Sequence, residues 1–225
     1  MSAGGGSMPP VALCQIIFVQ QSRPCIMKIE SWKEGDFVNV PGKQAVSLEE
    51  FYRMRETTDR ILEYIDGAVL MSPSPSTQHQ RLSGRLYVQL FHFLEGKPCE
   101  VFHAPFDIEL KNERIEGKKI VVPDLTVICD RSGLTDSKFV GVPTLIIEIL
   151  SPSNQAYDLV FKLNLYMQYG VGEYWIVNPM HSVVQIYSLN DDGQYEQAGV
   201  WKETGMAYSR ALDGFSVDVE QLFRP

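Results

Sequence analysis

Residues Pro143 to Lys162 read PTLIIEILSPSNQAYDLVFK, and the apolar run inside them sets the architecture. Leu145-Ile146-Ile147-Glu148-Ile149-Leu150 is too short for a buried helix and rich in β-branched residues, so it reads as a central strand covered on both faces. A carboxylate within such a strand loses hydration at a cost of several kcal/mol unless a cation, a hydrogen bond or a path to water compensates. Glu148 therefore calls for a partner. Upstream, Lys119 to Cys129 reads KIVVPDLTVIC, a second apolar strand with one acid, Asp124, in its middle. Two acids in two neighbouring apolar strands point to one shared divalent cation, with a buried ion pair to Lys162 or an arginine as the structural alternative.

The composition frames that reading. With 225 residues, 44% of them hydrophobic, the chain is long enough for one sizeable core, and a single domain is expected over residues 27–225. Residues 1–26 are Gly/Ser-rich and then apolar, and read as a disordered N-terminal extension or an added edge strand. The apolar stretch Val11 to Val19 is too short to span a bilayer and has no basic residue before it, so no membrane segment is expected. Cys14, Cys25, Cys99 and Cys129 stand far apart without metal-ligand spacing. This indicates neither a zinc site nor a disulfide framework and favours a cytoplasmic setting. A formal charge of -8 argues against coating nucleic acid by bulk attraction.

Outward from the two acids, the elements follow from pattern. Ser47 with Glu50 forms a capping box that starts a helix ending near Thr57. Ile61 to Ile65 and Ala68 to Met71 flank Asp66-Gly67, a hairpin signal that places Glu63 on a strand face with Ile61 and Ile65. Thr77 with Gln80 opens the longest helix, running to about Glu95, with His79, Leu82, Leu86, Leu90 and Phe93 on one stripe. A histidine so placed is more often a hydrogen-bonded structural residue than a catalytic one. Val101 to Leu110 reads as one strand, followed by a loop, Lys111 to Lys119, carrying four basic residues. Ser151-Pro152-Ser153-Asn154 ends the Glu148 strand and caps a helix through Tyr169, stopped by Gly170. Lys162 falls at the margin of that helix's buried stripe, placed either to snorkel outward or to reach Glu148. The remainder reads as antiparallel hairpins. Strand, helix and strand in succession near Glu148 make a right-handed crossover and a mixed sheet the expectation.

Hard oxygen ligands on adjacent strands suit Mg2+ or Mn2+. Such an ion polarises a phosphoryl oxygen and lowers the pKa of a bound water, and an amine such as Lys162 would offset charge in the transition state. The pattern points to metal-assisted phosphodiester hydrolysis.

These strings also resemble a family. Val122-Pro123-Asp124-Leu125-Thr126-Val127, Pro143 to Ser153, Asp158 with Lys162 and Tyr166, and Gly170 to Val177 closely resemble the Uma-two family of endonucleases. Glu63 to Gly67, Ser72-Pro73 and His79 match its N-terminal half. The resemblance, from Ser47 to Phe223, implies an α/β, restriction-endonuclease-like fold of the PD-(D/E)XK superfamily: a mixed sheet flanked by helices, with added antiparallel hairpins at both ends. It implies Asp124 and Glu148 as metal ligands, with Lys162 replacing the lysine that the superfamily pattern places at Leu150. His79 and Glu63 would approach the same cleft. A nucleic acid substrate, DNA in the first instance, and a homodimer are the expected partners. Two other readings stay open: a degenerate nuclease-fold module that binds nucleic acid or a protein partner without cutting, and a two-carboxylate glycoside hydrolase, which would not need Lys162.

Overall fold

The computed structural model describes residues 45–72, 74–151 and 157–225. The expectations for residues 1–26, for the start of the domain at residue 27 and for a helix cap at Asn154 lie outside them. Two sheets organise the described chain. Helix α1 (Leu48–Glu56) begins where the Ser47 hydroxyl accepts from the Glu50 N–H, 3.1 Å away. Strands β1 (Leu62–Ile65) and β2 (Ala68–Met71) form the expected hairpin, its turn made by Asp66 and Gly67 at φ 49° and 93°.

Helix α2 (Thr77–Leu94) is capped by Ser76, one residue before the expected Thr77, through a 3.1 Å bond from the His79 N–H. Leu82, Leu86, Leu90 and Leu94 are its buried stripe.

The sequence between α2 and the central strand departs from expectation twice, both times at a proline. Val101 to Leu110 is two strands, β3 (Glu100–His103) and β4 (Asp107–Leu110), in different sheets and separated at Pro105. Lys119 to Cys129 is likewise two strands, β5 (Lys119–Val121) and β6 (Leu125–Ile128), separated at Pro123. Proline donates no ladder hydrogen bond, so the chain leaves one sheet there and enters the other. Asp124 thus stands at a crossing between sheets, not in mid-strand.

Strand β7 (Lys138–Gly141) follows, then β8 (Leu145–Ile149), which is buried throughout and lies between β6 and β9 (Glu173–Asn178). A π-helical turn (Tyr157–Lys162) leads into α3 (Leu163–Tyr169), which Gly170 ends at φ 88°. β8 and β9 pair in parallel, as the expected crossover requires. Strands β10 (Val183–Leu189), β11 (Tyr195–Lys202), β12 (Met206–Tyr208) and β13 (Ser216–Asp218) form antiparallel hairpins, and α4 (Val219–Phe223) follows. The sheet orders are β2-β1-β5-β4-β7 and β11-β10-β9-β8-β6-β3. One face of the six-stranded sheet packs on α2 and the C-terminal hairpin, and its other face packs on α3 and the five-stranded sheet.

The cysteine expectation is overturned in part. The antiparallel register that pairs Glu100 with Ile128 brings Cys99 beside Cys129, and the two form a disulfide between β3 and β6. Sequence spacing carries no trace of such a pair, because only strand register creates it. Among the described residues no helix is long and apolar enough to cross a membrane.

Candidate active site

β6 and β8 run antiparallel with Leu125 opposite Ile147, so one residue further along Asp124 stands opposite Glu148. The expected neighbours are therefore cross-strand neighbours at the ends of the two strands. The strands are joined there through the residue after Glu148: the Ile149 N–H donates to Asp124 Oδ2 at 2.7 Å. His79 Nε2 lies 3.1 Å from the same oxygen, carried there by the capped first turn of α2. Both contacts fall on Oδ2, while Asp124 Oδ1 takes no hydrogen bond among the described residues. The Asp124 side chain keeps 20% of its surface in contact with solvent.

Glu148 sits deeper. Its Oε1 accepts from Lys162 Nζ at 2.8 Å and from the Tyr166 hydroxyl at 2.9 Å. Lys162 also lies 3.2 Å from Glu63 Oε1, and that oxygen accepts the Val122 N–H at 2.9 Å. Glu63, Glu148 and Lys162 are all buried, at 3–4% exposure, so the ammonium is desolvated and held between two carboxylates. It does not snorkel outward. Burial, followed by the neighbouring Glu148 charge, pushes the Tyr166 hydroxyl well above the ordinary tyrosine range, so it stays protonated and serves as a donor.

All five residues expected at the site thus converge, but in two linked groups. Glu63, Lys162, Glu148 and Tyr166 form a buried network; Asp124, His79 and the Ile149 amide form a wetter one beside it. Tyr166 and the Ile149 amide were not anticipated as site groups. Helical periodicity assigns Tyr166 to the packing stripe with Leu163, while its place in the family-like string and its spacing of four residues from Lys162 hint that the two share a target. Leu150, where the superfamily pattern has lysine, is 1% exposed within the apolar core between the sheets, so the amine has to come from another element. Of the four basic residues of the Lys111–Lys119 segment, two are used by the fold: Lys118 pairs with Glu109, and Lys119 with Asp66 at 2.7 Å.

Among the described residues no three His, Cys, Asp or Glu side chains stand close enough to hold a metal ion by themselves. Asp124 Oδ1, just before β6, and the Glu148 carboxylate, on β8, are hard oxygens. That set fits an ion such as Mg2+ or Mn2+, which keeps several waters and needs only one or two protein carboxylates.

Comparison with known proteins identifies the family and the fold. The sequence profile of the Uma2 family, described as "Putative restriction endonuclease", matches residues 48–220. The Synechocystis sp. "Uncharacterized protein slr1290" is 30% identical over 151 residues, covering 67% of this chain and 77% of that protein. The crystal structure of a "putative nuclease" from Anabaena variabilis superposes with a TM-score of 0.64 at 19% identity, covering 79% of this chain and 97% of that one. That likeness shows the fold: mixed sheets with few helices, of the restriction-endonuclease-like type.

Proposed function

Because the chain belongs to the Uma2 family, we propose that it is a metal-dependent endonuclease that hydrolyses phosphodiester bonds, in DNA before RNA, with Asp124 and Glu148 as the carboxylates that hold Mg2+ or Mn2+. The observation that carries this reading is the register of β6 and β8, which continued by one residue sets Asp124 across from Glu148, together with an Asp124 Oδ1 that takes no hydrogen bond among the described residues. When bound, the ion would polarise a phosphoryl oxygen and acidify a water.

The protein groups divide the remaining work. The Ile149 amide and His79 fix Asp124 by one oxygen and so direct the other outward. Tyr166 and Lys162 hold Glu148 by its Oε1. Lys162 carries the positive charge that offsets charge gathering on the phosphate, and Glu63 holds that ammonium at the strand ends. Chains cutting both strands of a duplex commonly act as two-fold dimers, which makes a homodimer the working assembly.

A second reading has one observation in its favour. Lys162 already faces two carboxylates, so the same network would also stabilise a module that binds nucleic acid or a protein without cutting it. A nicking assay on supercoiled plasmid separates the two. The nuclease reading expects Mg2+- or Mn2+-dependent nicking by wild type and its loss in Asp124→Ala and Glu148→Ala. Equal activity, or equal inactivity, in all three proteins overturns it.

A further inference from the structure

Helix α2 buries one stripe of leucines, yet its opposite face is not the charged surface expected of a helix lying on a sheet. Arg81, Gly84, Val88, Phe91 and Glu95 recur at intervals of three and four residues and are all exposed. Val88 and Phe91 are 51% and 53% exposed, and nothing lies within 4 Å of where a Gly84 side chain would begin. Tyr87 flanks this seam, stacked on Phe91 with ring centroids 6.1 Å apart. Positions at alternating three- and four-residue intervals line the seam along which one helix packs on another, and here its centre is apolar, at Val88 and Phe91, and open at Gly84. The charges at the ends decide the orientation. Arg81 and Glu95 form no ion pair among the described residues, and at a rise of about 1.5 Å per residue they stand about 21 Å apart, too far to meet on one helix.

We propose that this face is the homodimer interface, with α2 of one chain packed antiparallel on α2 of a second copy around a two-fold axis near Val88. That axis sets Val88 against Val88 of the second copy, lays Phe91 over the open Gly84, and pairs Arg81 with Glu95 at both ends. A parallel arrangement would oppose like charges at each end, so the charge pattern selects the antiparallel one. An axis at this point is isologous and closes at two copies. The His79 ends of the two helices then lie about 27 Å apart along the pair, at opposite ends of the interface. This inference does not rest on the reaction assigned to the site.

The test is sedimentation of the full chain over a concentration series. Wild type is expected to be a dimer, and Val88→Glu a folded monomer by circular dichroism. Arg81→Glu and Glu95→Arg are each expected to lose dimer at concentrations where wild type keeps it, and the double variant to regain it, since the exchanged charges meet only across the axis. A wild-type monomer throughout, a dimer indifferent to Val88→Glu, or a double variant no better than its parents overturns the proposal. Should Val88→Glu fail to fold, the charge-exchange set decides alone.

Discussion

Lys162 and Glu63 meet at 3.2 Å although one ends a helical turn beside the six-stranded sheet and the other belongs to the five-stranded sheet. Together with the Lys162–Glu148 bond, that contact ties the two sheets at the place where Asp124 crosses between them. Replacing Lys162 with methionine removes from two buried carboxylates the ammonium held between them. Breaking a buried ion pair from one side costs about 3–5 kcal/mol. Chemical denaturation of Lys162→Met is expected to show a loss of that order together with loss of cleavage. A variant as stable as wild type would mean that the ammonium is not the partner of these acids.

Tyr166 offers a milder perturbation. Tyr166→Phe keeps the ring among its neighbours and removes only the donor to Glu148. A hydrogen bond to a charged acceptor is worth about 1.5–3 kcal/mol, so stability should fall by that order. The Mn2+ concentration needed for half-maximal activity should rise, because Glu148 is no longer held in place. Unchanged metal dependence would reduce Tyr166 to a packing residue.

The fold was legible in the sequence wherever short-range chemistry decides it: the Asp66-Gly67 turn, the Ser47 cap, the central strand around Glu148 and the stop at Gly170 all stand where pattern places them. It was not legible where the chain changes sheets. Strand-forming sequence continues through Val101–Leu110 and Lys119–Cys129, and only Pro105 and Pro123 mark that each run is two strands. The site followed the same division. Asp124, Glu148 and Lys162 are visible as charges in apolar surroundings, whereas the Ile149 amide and the Cys99–Cys129 bond arise from register between strands and have no local signature.

Glu109 supplies a pH test away from the site. Burial pushes its carboxyl up, but hydrogen bonds and charge from Lys118 and Lys138 outweigh burial and leave it below the ordinary range. A carboxylate lowered by folding contributes stability above its unfolded pKa and loses it as pH falls through the folded value. Thermal melts should therefore show wild type losing more stability than Glu109→Gln on acidification from neutral pH through the carboxylate range. Parallel pH profiles would show that the two lysines do not act on it.

The disulfide predicts a response to reductant. Cys99 and Cys129 are 30 residues apart, and closing a loop of that length stabilises a chain by about 3–4 kcal/mol. Reduction, or the double serine variant, should lower the melting temperature. Because the bond joins β3 to β6 at the far end of β6 from Asp124, cleavage by the surviving folded protein should be little changed. Indifference of the melt to reductant would show that the bond does not form in solution.

The claim on which the enzymatic account rests is that Asp124 and Glu148 together hold a divalent ion, and calorimetric titration of Mn2+ into the full chain measures it without reference to turnover. The account predicts saturable binding by wild type that is lost in Asp124→Ala and again in Glu148→Ala, with each variant folded by circular dichroism. Mn2+ binding of wild-type affinity in both variants would place the ion elsewhere and contradict the account.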